Sequence, residues 1–481
     1  MIQNEHGRYR TPSVVAYTSD GIVVGEDALS LVKKPHSAHN VIHNSKRFIG
    51  KNFSDLSVPG DSLQADLDSF SFHVIEGPND SILFQLDVDG QISTVSPIAV
   101  ASEILKYLKR CAELYLNATV SDVVITVPAS FGSIQRRDTR EAAQRAGLNV
   151  LRMPAEPTAA AICWKERNPI SEPDIDLLVY DLGGGTFDAS LVNVLDGNIS
   201  IQAVSGHPYL GGADFDNALA QHFLKKFCED NELDGIPELQ KSRLIEECRK
   251  VKHQLTEMMA TSIEVDALYH GCDLEKIRIT RAQFEKLINT SIDTSIAEVE
   301  KLLTRAHIEK QSLYKVLLVG GSTRVPAVHA RLKNYFGNDQ VFSPVQPDFA
   351  VAQGAAMLAT KPVVDILPYD IGLRVNNTDV DCLFPRFTRF GSHCTKSYYT
   401  TYHNQETIDH HVVEGEIPSD RLGSVMGTKL LGQFPLSGIQ PHPKGYQVEV
   451  TCSITENHGF ECSSRDPLNP TNSASICIDL F

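Results

Sequence analysis

Val179-Tyr180-Asp181-Leu182-Gly183-Gly184-Gly185-Thr186-Phe187-Asp188 is the most informative stretch of the chain. A β-type run ends in an acidic residue, passes through three glycines and a threonine, and resumes as a second β-type run. Glycine has no Cβ, so consecutive backbone N–H groups there can close on an anion, and such nests cradle phosphates. Asp181, at the strand end, is placed to hold a Mg²⁺ through its waters, and Thr186 to donate to a phosphate oxygen. By themselves the three glycines fit a Gly-rich hairpin with a solvated Asp about as well. A second element shifts that balance. Leu318-Val319-Gly320-Gly321-Ser322-Thr323-Arg324-Val325-Pro326 again runs a strand into paired glycines and then a helix start, which suits close approach of a nucleoside and its phosphates. Two such elements, well separated in sequence, predict two lobes that close on one nucleotide.

Around them, β-type runs alternate with helical stretches up to about residue 360, the pattern of an α/β architecture. Apolar runs at 123–127, 177–180 and 316–319 predict strands covered on both faces. In 239–256, Leu244, Cys248, Val251 and Leu255 make one apolar stripe at helical spacing. Thr280 and Gln283 have the spacing of a capping box, and Asp196-Gly197 reads as a hairpin turn between two β-rich runs. From Val363 onward helical periodicity fades, which predicts a separate β-rich domain. The apolar segment 361–368 (KPVVDILP) between the two reads as a linker that docks rather than swings.

A chain of 481 residues has room for roughly three domains of about 150 residues and needs no disulfide or structural metal to hold a core. Its net charge of −16 argues against direct nucleic-acid or anionic-membrane binding. No apolar run approaches a membrane span, the N-terminal residues show no signal-peptide pattern, and the ten cysteines contain no CxxC pair. The expectation is a soluble, cytosolic, multidomain protein with reduced thiols.

DLGGGTFD (181–188) and VGGSTRVP (319–326) together resemble the actin-like ATPase fold. VITVPASF (124–131), EPTAAA (156–161) and LGGADFDN (210–217) narrow the resemblance to the heat-shock 70 kDa chaperone family, and it extends over the whole chain. A sugar kinase on the same fold has no counterpart in 363–481. The resemblance implies a two-lobed actin-like ATPase domain over 1–361, a linker over 362–370, and a β-sandwich substrate-binding domain without a helical lid over 371–481. It implies ATP or ADP with Mg²⁺ as cofactor. Lys46 then faces the γ-phosphate and the attacking water, while Glu156 and Asp181 hold Mg²⁺ through water and Thr186 contacts phosphate. Gly183, Gly184 and Gly185 form the phosphate loop. Gly320, Gly321, Ser322, Arg324 and Asp348 form the adenosine wall, with Lys252, His253 and Thr256 opposite. Pro128 and Arg136 match the switch that reports nucleotide state. Implied partners are unfolded or nascent polypeptides, a J-domain co-chaperone, a nucleotide exchange factor and the ribosome.

Three departures shape the expectation. Met1 begins beyond the family's first strand pair, so the reading is of an N-terminally incomplete ATPase domain. Arg249 and His253 stand where the family has a glutamate and a stacking arginine, which predicts weaker adenosine affinity. Where the family's groove strand alternates aliphatic residues, this chain has Ile408-Asp409-His410-His411-Val412, a poor match to an apolar peptide. With no lid following, the chain looks most like the short heat shock 70 kDa protein 14-like and Ssz-like branch, whose members are poor ATPases or none. Two functions therefore stand side by side, an ATP-driven chaperone and a non-hydrolysing scaffold that partners a J-domain protein. Elsewhere, His393, Cys394, His403, His410 and His411 match no metal spacing and read as exposed β-loop histidines. Trp164, Cys228, Cys248 and Cys272 read as core residues.

Overall fold

The computed structural model describes residues 1–32, 37–57, 67, 70–168, 172–195, 198–207, 209–342, 347–360, 367, 369–386, 388–455 and 459–480. The chain divides into two compact units. One comprises Met1–Ala129, Asp138–Gly197 and Ala203–Lys361; the other comprises Ser130–Arg137, Asn198–Gln202 and Pro362–Phe481.

The first unit opens with β1 (Val14–Thr18), β2 (Gly21–Val24) and β3 (Val41–His43), an antiparallel sheet in the order β2–β1–β3. A meander follows, β4 (His73–Glu76), β5 (Ile82–Val88) and β6 (Gln91–Val95). Apolar alternation on β5 buries Ile82, Phe84 and Leu86 against Val15, Ile42 and Phe48, the core of this lobe. The helix Pro97–Leu116 starts on Ser96, whose side chain accepts from the Ala99 N–H.

β7 (Asp122–Val124) lies parallel to β8 (Asn149–Arg152) in a sheet of two strands. The expected strand over 123–127 is thus shorter than its apolar run, and Val123 and Val124 are only half-buried. The reason is that among the described residues β8 is the one strand beside it. Val127, further on, is buried and bridges to Ala155.

The second lobe is built on β9 (Asp174–Leu182), β10 (Phe187–Leu195), β11 (Asn198–His207), β14 (Lys315–Val319) and β15 (Val341–Phe342), in the order β11–β10–β9–β14–β15. Between them in sequence lies the ribbon β12 (Ala260–Tyr269) and β13 (Cys272–Thr280). β9 and β10 are antiparallel, whereas β14 runs parallel to β9 and β15. Leu177, Leu178, Val179 and Tyr180 are all buried, as a run without polar alternation requires when both faces are covered. The expected stripe Leu244, Cys248, Val251 and Leu255 is the buried face of the helix Glu238–Glu257. Thr280 and Gln283 form their reciprocal capping box at the start of the helix Arg281–Leu287. The hairpin turn expected at 196–197 lies outside the described residues.

The second unit is all-β through β16 (Asp370–Arg374), β17 (Asp379–Phe384), β18 (His393–Tyr399), β19 (Thr407–Gly415), β20 (Gly423–Ser424), β21 (Lys429–Ser437), β22 (Gln447–Ile454), β23 (Gly459–Asp466) and β24 (Asn469–Asp479). Two antiparallel sheets, β20–β17–β16–β19–β21 and β18–β22–β23–β24, share one core. Leu373, Val412 and Phe434 of the first meet Val450, Cys452 and Phe460 of the second. Residues 361–366 and 368, which carry most of the expected linker, lie outside the described residues.

Candidate functional site

The glycine stretch folds as a four-residue turn between β9 and β10, closed by the Gly183 N–H donating to the Thr186 carbonyl (3.0 Å). The Gly183 carbonyl accepts twice, from the Gly212 N–H at 3.0 Å and from Ser322 Oγ at 2.7 Å. The Gly184 carbonyl accepts from Ala213 N–H at 2.7 Å, so the start of the helix Gly212–Asp230 is fastened directly to the turn. Such proximity demands glycine. A Cβ on Gly211 would lie 2.6 Å from the Gly185 nitrogen. A Cβ on Gly320, whose φ is +84°, would lie 2.3 Å from the Leu182 carbonyl oxygen and 2.6 Å from Asp181 Oδ1.

Lys46, in a short turn of 3-10 helix at Ser45–Arg47, reaches Glu156 at the first position of the helix Glu156–Arg167, with Nζ 2.8 Å from Oε1. Desolvation pulls the ammonium down, but the Glu156 carboxylate beside it, with Asp188 and Asp181 behind, outweighs that and holds it above its ordinary value. Across the β9–β10 pair Asp181 lies directly opposite Asp188. Like charges so placed repel. Burial first, then Glu156 and Asp188, push the Asp181 carboxyl well above the carboxylate range, and burial with Glu156 pushes Asp188 up to about 7. Among the described residues no three His, Cys, Asp or Glu side chains converge closely enough to ligate a metal ion directly. Hard carboxylate oxygens that crowd one another beside a phosphate-sized turn fit a hydrated divalent cation, which would relieve their repulsion through its waters.

Asp188 is the residue that sequence reasoning passed over. Its signal was present as the closing Asp of DLGGGTFD, but only the strand register brings it onto Asp181. Arg47 was also missed. It donates Nη2 to the Gly185 carbonyl at 2.8 Å, and its guanidinium lies over the Tyr209 ring.

On the far side of the turn, Lys252 Nζ donates to the Gly212 carbonyl (2.8 Å) and pairs with the buried Asp216 at 2.7 Å. Arg249 pairs with the same Asp216 at 3.3 Å and with Glu246 at 2.8 Å. Gly183, Gly212, Ser322 and Lys252 thereby form one connected patch. Arg324 and Asp348 form a second, at 2.6 Å, joined by Arg10 at 3.2 Å from the other Asp348 oxygen. Neither Asp216 nor Arg10 carried a local sequence signal, since their partners lie 33 or more positions away. Thr256 instead spends its hydroxyl on its own helix, donating to the Lys252 carbonyl at 3.0 Å. His253 is largely exposed, although partial desolvation of its ring, then the nearby Lys252, lower its proton affinity. Pro128 is buried, and so is Arg136, whose Nε donates to the Phe131 carbonyl at 3.0 Å.

In the second unit the expected exposed histidines separate. His393 and His403 are exposed, but His410 is 97% buried, a correction to the expectation that all are loop residues. It sits inside β19, tilted on Phe434 at 4.9 Å, and its Nε2 has no hydrogen-bond partner. Burial drives its proton affinity down to about 4. Trp164 and Cys248 are buried as expected, whereas Cys228 and Cys272 are only half-buried.

The family model described as "Hsp70 protein" matches residues 1–479. A heat shock 70 kDa protein of Neurospora crassa is 35% identical over all of this chain and 74% of its own length. Heat shock cognate 70 kDa protein 3 of Dictyostelium discoideum is 35% identical over 97% of this chain and 74% of its own length. A protein of Eremothecium gossypii named as a ribosome-associated molecular chaperone is 35% identical over 93% of this chain and 73% of its own length.

Proposed function

The chain belongs to the Hsp70 family, and from that premise we propose that it is an ATP-hydrolysing chaperone whose nucleotide site is the cleft around the Gly183–Gly185 turn. The fold that membership brings is the two-lobed actin-like ATPase. The observation that carries the reading is the convergence of Lys46, Glu156, Asp181 and Asp188 beside a glycine turn against which Gly211 and Gly320 pack too closely to carry a Cβ.

In this mechanism the N–H groups of Gly184 and Gly185 and the Thr186 hydroxyl hold the phosphates, while the Gly183 N–H keeps the turn closed on the Thr186 carbonyl. Lys46 remains an ammonium at neutral pH and faces the γ-phosphate, held in place by Glu156. Asp181, Glu156 and Asp188 would hold Mg²⁺ through its waters, and the bound cation would supply neutralisation of charge on the phosphate oxygens. Gly320, Gly321, Ser322, Arg324 and Asp348 line one side of the adenosine, with Lys252, His253 and Thr256 on the other. Catalysis is positioning and charge stabilisation with no covalent intermediate. Residues 1–361 act as the ATPase domain, 362–370 as the linker that carries its state, and 371–481 as the domain that takes unfolded or nascent polypeptide. Pro128 and Arg136 belong to that relay. A J-domain co-chaperone and a nucleotide exchange factor pace the cycle in the cytosol.

A second reading is a nucleotide-sensing scaffold at the ribosome that does not turn over. The Arg249–Asp216–Lys252 cluster on the adenosine side and His410 in the substrate domain favour it, as does a relative named for ribosome association. Single-turnover hydrolysis of Mg-ATP by the whole chain, beside Lys46→Ala, separates the two. The chaperone cycle predicts turnover that falls by about 10²–10³ in the variant. Binding of Mg-ATP without turnover in both proteins sinks the ATPase and leaves the scaffold.

A further inference from the structure

Three cysteines from separate parts of the sequence lie side by side in the β-domain. Cys394 on β18 is directly opposite Cys452 on β22, and Cys452 is directly opposite Cys462 on β23. The row ends at Ile476 on β24. All three thiols are on the inner face of the sheet, with Cys452 and Cys462 each 1% exposed and Cys394 half-buried. The strand register therefore sets Cys452 between Cys394 and Cys462 on one face. Residues opposed in an antiparallel pair have Cα atoms about 4.5–5.5 Å apart, inside the span that a disulfide bridges. No trio among the described residues converges as metal ligands do, so the row is not a metal site.

We propose that the Cys394–Cys452–Cys462 row is a redox modification site, at which a hydroperoxide converts the Cys394 and Cys452 thiols into a disulfide. The half-buried position makes Cys394 the entry point. Donation from the Cys452 thiol, aided by the Lys396 ammonium two residues along the same face, favours the Cys394 thiolate, against the pull of burial and of Asp381. Cys452 is held as a thiol, its proton affinity raised by the sulfurs on either side and by burial. The Cys394 thiolate attacks the peroxide, the O–O bond breaks, and one oxygen leaves as water or alcohol while the sulfur becomes a sulfenic acid. The Cys452 sulfur then attacks that sulfur. An S–S bond forms, the S–O bond breaks, and the departing hydroxyl takes the Cys452 proton and leaves as water. Cys462 can next attack Cys452, moving the bond one strand inward and returning Cys394 to the thiol. Cys477 supplies an internal control, being exposed and opposite Glu461 rather than another thiol.

The test uses the whole chain exposed to graded hydrogen peroxide, followed by alkylation of free thiols, digestion without reductant and mass spectrometry. The expected products are peptides linked Cys394–Cys452 or Cys452–Cys462 within one chain, both reversed by reductant, while Cys477 yields no linkage inside the chain. Cys394→Ser, a near-isosteric change at a half-buried site, should slow loss of the Cys452 thiol roughly tenfold or more. Persistence of all three row thiols while Cys477 oxidises would overturn the proposal. So would oxidation of Cys452 at an unchanged rate in Cys394→Ser.

Discussion

The cleft proposed for the nucleotide and the β-domain core each contain a polar group in an uncomfortable place, and they differ in what can relieve it. In the cleft, Asp181 and Asp188 face each other across β9 and β10 and both hold protons more tightly than carboxylates normally do. A cation and its waters would remove that conflict, so it is a strain directed at a ligand. In the β-domain, His410 is packed on Phe434 with an unpartnered nitrogen, and its discomfort is met by staying neutral. Strain that a ligand cancels marks a binding site; strain that protonation alone can alter marks a structural sensitivity.

The largest effect should come from Gly320→Ala. A Cβ there collides with the Leu182 carbonyl at positive φ, and a loss of about 3 kcal/mol is expected in denaturant unfolding of the first unit. Because the clash is steric, Mg-ATP should not restore the lost stability; rescue by nucleotide would show that the turn yields.

The pH responses of the two units should oppose each other. His410 has a folded proton affinity below its unfolded value, so its contribution is present above about 6.5 and is lost as pH falls toward 4. The β-domain should therefore lose about 2 kcal/mol between pH 7.5 and 5, and His410→Leu should abolish most of that loss. Asp188 has the opposite sign. Its folded proton affinity lies above the unfolded value, so the nucleotide-free cleft loses stability as pH rises through about 7. Calorimetric transitions of the two units moving in the same direction with pH would break the comparison.

Asp188→Asn sharpens it further. Without nucleotide, the variant should be more stable at pH 8 by on the order of 1–2 kcal/mol, since the facing charges are gone. With Mg-ATP the usual stabilisation should shrink, which differential scanning fluorimetry reads directly. Arg249→Ala should have the smallest effect, under about 1 kcal/mol in stability, because its guanidinium is substantially exposed and Lys252 still pairs Asp216. If its ATP affinity changed more than tenfold, Arg249 would have to be counted among the adenosine contacts.

Local chemistry was legible in the sequence and long-range register was not. The Thr280–Gln283 box and the Leu244–Leu255 stripe are properties of one turn or one helix, and both form as read. The three glycines pointed correctly to a tight turn, since residues without a Cβ leave the backbone free to fold sharply wherever they lie. Asp188, Asp216 and Arg10 escaped because each acquires its role from a residue on another element. The β7 run looked fully covered because apolar composition reports what a strand would bury, not how many neighbours it finds. His410 was misread for a related reason: nothing local says which face of a strand an imidazole takes, and only the β19–β21 register, which sets it opposite Phe434, turned this one inward.

The two hydrogen bonds accepted by the Gly183 carbonyl have a kinetic consequence. They tie the glycine turn to the helix that follows it and to the Ser322 side of the wall, so displacing one of the three means breaking a bond to another. A nucleotide entering this cleft meets surfaces already registered to one another, and little ordering remains to slow its capture. Release then has no small hinge to exploit at this turn. If the proposed nucleotide binds here, its departure would await separation of larger parts, and residence time would become a property of the lobe rather than of the loop.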